Sequence, residues 1–181
     1  MASSVPQQVS GLPVVQAAWV VRDLQETMSQ WLNLGVGPFY TFDVDLPSVK
    51  YRGQESSLSM RIGLVHAGSV QLEFIQQTSD QPSAYTDGEL SGASTFHHIC
   101  RDYGGYDKAV AELEAQGAVL VTEAQWGDCR FCYMDARDTL GCFVEFCDDT
   151  DTGRRMYEIV REGAEQWDGE DPIRALAPLL A

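Results

Sequence analysis

Short apolar runs broken by polar turns, rather than long helical stripes, dominate the pattern of this chain. Val14 to Val21 is rich in valine and reads as a strand. Asp23 can cap a helix over Leu24 to Leu34, with Leu24, Met28, Trp31 and Leu32 on one face, and Gly35-Val36-Gly37-Pro38 ends it. Strands are predicted at Phe39 to Val44, Leu58 to Val65 and Val70 to Gln76, the last two joined by a turn at Ala67-Gly68. Gln77 to Ser94, rich in Ser, Asp, Gly, Thr and Gln and carrying Pro82, reads as a linker. The order then repeats. Thr95 to Cys100 is a strand, and Tyr106 to Gln116 a helix with Ala109, Val110 and Leu113 on one side, stopped by Gly117. Strands follow at Ala118 to Thr122, Arg130 to Met134 and, after a turn at Asp138 to Gly141, Cys142 to Cys147. Each half reads βαβββ, so the expected class is α+β. The expected organisation is a disordered leader at 1–13, modules at 14–76 and 95–148 joined by the linker 77–94, and a C-terminal helix and tail at 149–181. In that last segment Arg154 to Trp167 carries an apolar stripe of Met156, Ile159, Val160 and Ala164.

The repeat extends to its polar positions. The closing strands Val70-Gln71-Leu72-Glu73-Phe74 and Cys142-Phe143-Val144-Glu145-Phe146 each carry one carboxylate. Strand side chains alternate between faces, so Leu72 and Phe74, like Val144 and Phe146, turn toward the helix of their own half while Glu73 and Glu145 turn the other way. In the opening strands Gln16 shares a face with Ala18 and Val20, opposite Trp19. His98 shares a face with Cys100, and His97 is expected on the opposite face with Ile99. Two half-sheets can therefore gather Gln16, Glu73, His98 and Glu145 into one pocket. One imidazole, two carboxylates and an amide oxygen form a mixed N/O set suited to a single divalent ion such as Zn, Ni, Co, Mn or Fe. Such an ion can polarise a carbonyl and stabilise an enediolate while a carboxylate removes the neighbouring proton. Glu145 is the preferred base and Glu73 its partner. The bland alternative is that each Glu sits on an exposed sheet face and that His98 is a hydrogen-bonded structural residue.

Composition narrows the class. The net charge of −15 opposes contact with nucleic acid and with anionic lipid. Much of that excess lies between Asp148 and Asp171 and reads as a solvated tail. No run approaches the roughly eighteen apolar residues of a membrane helix. Five cysteines, without a secretory signal, suit a reduced cytoplasmic protein with free thiols. Cys129-Arg130-Phe131-Cys132 is a single CxxC entering a strand, the context of packing cysteines rather than of a zinc ribbon. His66, at a turn and without a repeat counterpart, reads as a surface residue. Phe39, Tyr40, Phe42 and Tyr51 read as core, with the lining of an apolar pocket as the alternative. Lys50, Arg52, Arg130 and Arg137 can bind an anion but read as surface residues.

On these residues the chain resembles the vicinal oxygen chelate superfamily, which includes glyoxalase I, methylmalonyl-CoA epimerase, extradiol dioxygenases and drug-binding resistance proteins. Val15-Gln16 through Arg22-Asp23-Leu24 looks like the opening of its first module. Phe96-His97-His98-Ile99-Cys100, Tyr106 to Gly117 and Gly141 to Phe146 look like its second. The resemblance implies two βαβββ modules pairing into a cup-shaped mixed sheet that holds a metal, with a small carbonyl compound as substrate and a homodimer as the assembly. Gln16, Glu73, His98 and Glu145, in chain order, are similar to the ligand set of eukaryotic-type glyoxalase I. The positions where that enzyme holds glutathione with arginines are here Val20 and Ser94, neither charged. The implied activity is that of a glyoxalase-like or epimerase-like isomerase, epimerase or lyase. The alternatives are a non-catalytic binding protein of the same fold and an Fe(II) extradiol dioxygenase.

Overall fold

The computed structural model describes residues 14–88, 90, 92–101 and 106–176; the expected leader at 1–13 lies outside them. The first half contains β1 (Val14–Val21), α1 (Leu24–Asn33), β2 (Phe39–Tyr51), β3 (Gln54–Ala67) and β4 (Val70–Gln77). The second contains β5 (Ser94–Arg101), α2 (Tyr106–Glu114), β6 (Val119–Trp126), β7 (Cys129–Asp135), a short helix α3 (Arg137–Leu140) and β8 (Phe143–Cys147). The turn expected before the last strand is α3. Then come α4 (Asp151–Glu165) and a strand not anticipated from the sequence, β9 (Ile173–Ala175), which pairs with the start of β2.

The strands form one mixed sheet in the order β3-β4-β1-β5-β8-β7-β6-β2-β9, and a further β3–β2 pairing closes eight of them on themselves. Within each half the opening and closing strands are parallel, β1 to β4 and β5 to β8. The halves meet where β1 runs antiparallel to β5 and where the end of β2 pairs with β6. Both modules of the single chain therefore complete one curved α+β sheet.

Alternation sorts the side chains into three cores. Outside the first half, Leu24 and Met28 of α1 pack with Leu72 and Phe74 of β4. Trp19 stacks on Phe74 at 5.7 Å. Gly63 permits this approach, because a side chain there would press on Leu24 and Met28 at 3.1 and 3.2 Å. Asp23 caps α1 by accepting from the Glu26 amide. Outside the second half, Ala109 of α2 packs on Cys132, Met134, Val144 and Phe146. The third core faces inward, with Ala18, Val20, Met60, Ile62 and Ile75.

The segment read as a solvated tail is partly a packed one. Thr150 caps α4 through the Gly153 amide, and Ile159 and Val160 of that helix are buried in the inward core. His66, expected on the surface, is buried on β3 with its ring edge-on to Tyr157 of α4 at 4.7 Å. The cause is α4 itself: it covers a stretch of β3 that would otherwise end at an open turn.

Candidate metal centre

Strand register builds the site. Glu73 on β4 pairs with Ala18 on β1, and Ala18 pairs with His98 on β5. In the neighbouring row, Gln71 pairs with Gln16, Gln16 with Cys100, and Cys100 with Glu145 on β8. The two halves are equivalent in this frame. Gln16 lies two residues before the partner of Glu73, and His98 two residues before the partner of Glu145. Ala18 is the small, fully buried residue over which Glu73 and His98 reach each other.

Glu73, His98 and Glu145 come together, their nearest ligand atoms all within 4.8 Å of one another. His98 Nε2 stands 3.4 Å from Glu73 Oε2 and 3.3 Å from Glu145 Oε2. His98 is fully buried, and among the described residues Nε2 has no aligned hydrogen-bond partner. Gln16 lines the same cavity as the two carboxylates. Its amide nitrogen donates to Gln71 Oε1 at 2.7 Å, which leaves the amide oxygen as the uncommitted end. An orphaned imidazole nitrogen faced by two carboxylates, with an amide oxygen beside them, is a donor set that fits a divalent ion.

His97 departs from its expected place. Pairing between β1 and β5 steps from Ala18–His98 to Trp19–Phe96, so His97 is the extra residue of a β-bulge. The bulge turns His97 inward beside His98, and Phe96 takes the outer position against Trp19 at 5.3 Å. His97 is buried among Tyr85, Tyr133 and Phe143. Burial pushes its pKa well below the ordinary value, so the ring is neutral. Its Nε2–H donates to the Ala84 carbonyl at 3.1 Å, and its bare Nδ1 accepts from His98 Nδ1–H at 2.8 Å. This chain fixes the His98 tautomer and aims Nε2 at the carboxylates, as a partner behind a ligating histidine does.

Electrostatics follow from the burial. Burial alone would lower His98, but Glu145 and Glu73 outweigh it and raise the imidazole to about 9. Burial works to raise Glu145, yet the charge and hydrogen-bonding capacity of His98 hold that carboxyl below its usual range. For Glu73 burial prevails and its carboxyl is raised. Tyr85 and Tyr133 share a buried hydrogen bond of 2.7 Å between their hydroxyls. Burial and the nearby carboxylates raise both phenols well above their usual value, so both keep their protons.

Gln16, Glu73, Glu145, Tyr85 and Tyr133 form one side of a cavity. Val44, Met60, Ile62, Phe131 and the stacked pair Phe42 and Trp126 wall it, and Met156 of α4 reaches its rim. Phe39 and Tyr40 are core, as expected, whereas Phe42 is pocket lining. The four cations considered earlier point elsewhere. Lys50 lies near Glu123, Arg130 binds Asp148 and Asp107, and Arg52 and Arg137 both bind Asp87. Tyr133 was legible in the alternation Phe131, Tyr133 along β7. Tyr85 sits on a short 3₁₀ turn, Ala84–Thr86, inside the linker, where no period marks it.

Residues 15–133 match the model of the Glyoxalase/Bleomycin resistance protein/Dioxygenase superfamily, and the chain belongs to that superfamily. Glu145 lies beyond the matched segment. Among solved structures, a hypothetical protein from Bacillus halodurans C-125 is similar with a TM-score of 0.55 at 13% identity, over 78% of this chain and 97% of that one. A Streptomyces coelicolor methylmalonyl-CoA epimerase variant in complex with 2-nitronate-propionyl-CoA gives 0.52 at 18% identity, over 77% and 99%. The methylmalonyl-CoA epimerase of Mycobacterium tuberculosis gives 0.51 at 16%, over 80% and 91%. No curated protein matches the sequence. Among the described residues no helix is long and apolar enough to cross a membrane.

Proposed function

We propose that this protein is a metal-dependent isomerase, epimerase or lyase that removes a proton next to the carbonyl of a small organic substrate. The observation that carries this reading is His98 Nε2, buried, without a hydrogen bond among the described residues and faced by Glu73 and Glu145. Glu73, His98 and Glu145 would hold one divalent ion, Zn, Ni, Co, Mn or Fe, with Gln16 as the fourth ligand. The ion would supply Lewis-acid polarisation of the substrate carbonyl.

The remaining work belongs to the chain. Glu145 is the base that takes the proton. Glu73, from the other module and on the far side of His98 from Glu145, is the group that can return one. In the Tyr85–Tyr133 pair one hydroxyl donates to the other, which leaves one phenolic proton for Glu145 or a substrate oxygen. The apolar walls exclude water around these groups.

The cavity also suggests the substrate's character. Among the described residues its lining holds no lysine or arginine, and the nearby cations are engaged by carboxylates. A compact carbonyl compound with an apolar or aromatic body fits it better than a large anionic carrier. Five free thiols suit a reducing, cytoplasmic setting, and a homodimer is the assembly expected with this reading.

Solvent deuterium tests the reaction. Metal-loaded protein should wash label into the carbon beside the carbonyl of an α-hydroxy-ketone, a hemithioacetal or an acyl thioester. Full exchange by Glu145→Gln would remove Glu145 as the base. Failure of every substrate class to exchange, with metal bound, would favour a binding protein of the same fold.

A further inference from the structure

The second module carries a feature that the first lacks. Cys100 pairs with Glu145 across β5 and β8, and Cys147 follows Glu145 by two residues on the same face. The two sulfurs and a Glu145 carboxylate oxygen all lie within 4.8 Å of one another. At the equivalent positions around Glu73, the first module has Ala18 and Ile75, both fully buried in the inward core. Hydrocarbon therefore fills those positions in one half, and the fold does not require sulfur there. A third thiol, Cys129 at the start of β7, lies beside Cys147. Cys129, Cys147 and Glu145 all line the cavity, so an ion entering it reaches them.

We propose that Cys100, Cys147 and Glu145, with Cys129 as a fourth ligand from the cavity side, form a second metal site, for a thiophilic divalent cation of the Zn²⁺ or Cd²⁺ type. In a tetrahedral sphere with Zn–S of about 2.3 Å and Zn–O of about 2.0 Å, ligand atoms stand about 3.5–3.8 Å apart. The cluster of Cys100, Cys147 and Glu145, within 4.8 Å, needs only a small closure to reach that spacing, while Cys129 stands outside it and would have to move in from the cavity side. Softness separates the two sites: sulfur selects thiophilic ions, whereas the imidazole and carboxylates around His98 accept hard and borderline ones. Each thiol that ligates gives its proton to solvent. Glu145 belongs to both sites, so an ion on the sulfurs draws its charge from the neighbourhood of His98, and an excess of thiophilic metal suppresses whatever chemistry depends on Glu145. The site itself stands whether or not the proposed proton transfer is correct.

The test is a Cd²⁺ titration of the reduced, metal-stripped full chain, followed by the ultraviolet thiolate-to-cadmium charge-transfer band. The wild type should show a saturable band, and His98→Gln should keep it. Cys147→Ser, at a position that is only partly buried, should weaken Cd²⁺ binding by more than about a hundredfold, beyond the roughly 10–100-fold that loss of a mere outer partner causes. Cys100→Ser is buried and can fail to fold, so a second measurement uses the wild type alone. Bound Cd²⁺ should protect Cys129 and Cys147 from alkylation, read peptide by peptide in a mass spectrometer. Absence of the band, unchanged Cd²⁺ affinity in Cys147→Ser, loss of the band in His98→Gln, or equal alkylation with and without Cd²⁺ would each overturn the proposal.

Discussion

Protein prepared without metal should lose stability as the pH rises from 7 to 8, and zinc should reverse that slope. His98 is the cause. Its folded pKa of about 9 lies above the ordinary value of ~6.5 because two buried carboxylates outweigh the cost of its own burial. A group raised on folding contributes stability that is fully present below its unfolded pKa and is lost as the pH climbs through the folded one. The largest possible contribution is about 3 kcal/mol, and the loss between pH 7 and 8 is about 1 kcal/mol. The raised carboxyl of Glu73 and the raised thiols of Cys100, Cys132 and Cys147 act in the same direction as His98. Burial lowers His66 and His97, so their contributions are nearly complete by pH 7. Thiols of the unfolded chain begin to ionise near the upper end of that range, at about 8.5. With zinc the sign inverts, because Nε2 must shed its proton to ligate and stabilisation by metal then grows with pH. Urea titrations at fixed pH, with chelator or with saturating Zn²⁺, read both slopes. A flat or rising metal-free stability between pH 7 and 8, or the same downward slope with zinc, would refute the reasoning.

Other perturbations follow from the same geometry. Ala18→Leu places a larger side chain between Glu73 and His98. Mn²⁺ affinity by calorimetry should fall by about tenfold or more, and overpacking should cost about 1–3 kcal/mol in urea unfolding. Unchanged affinity would mean that Glu73 and His98 do not share an ion. Tyr133→Phe strands the Tyr85 hydroxyl in a buried site and should cost about 1–3 kcal/mol; adding Tyr85→Phe should recover part of that loss in a double-mutant cycle. Among the described residues neither ring nitrogen of His66 has a hydrogen-bond partner, so His66→Leu should raise stability by about 1 kcal/mol, and a fall in the unfolding midpoint would show that the ring is needed against Tyr157.

Much of the site was legible because it rests on strand alternation inside a repeat. Glu73 and Glu145 turn inward for the same reason that Leu72, Phe74, Val144 and Phe146 turn outward. The parallel pairings of β1 with β4 and β5 with β8 set the frame in which Gln16 and His98 match. What escaped depends on breaks in that period. The bulge at His97 reverses the face of a residue that alternation assigns outward, and nothing in Phe96-His97-His98 marks where the extra residue falls. β2 runs through Pro47 to Tyr51 because a second irregularity between Leu46 and Val49 restores its inward set of Val44, Leu46 and Val49. Arg52 and Gly53, both at positive φ, then close the hairpin to β3. His66 was misplaced for a different reason: its cover is a helix some ninety residues later in sequence, and local pattern carries no trace of long-range contact. β9 is short, and its pairing to β2 is equally long-range.

The central claim is that Glu73, His98 and Glu145 hold one divalent ion. Mn²⁺ tests it most directly, because a hard ion favours carboxylates and imidazole over thiolates. Electron paramagnetic resonance of free Mn²⁺ counts the bound ion during titration of the metal-stripped chain. The account expects one ion per chain, lost in His98→Gln and in Glu145→Gln and kept in Cys147→Ser. Absence of stoichiometric binding, or binding that survives His98→Gln, would contradict it.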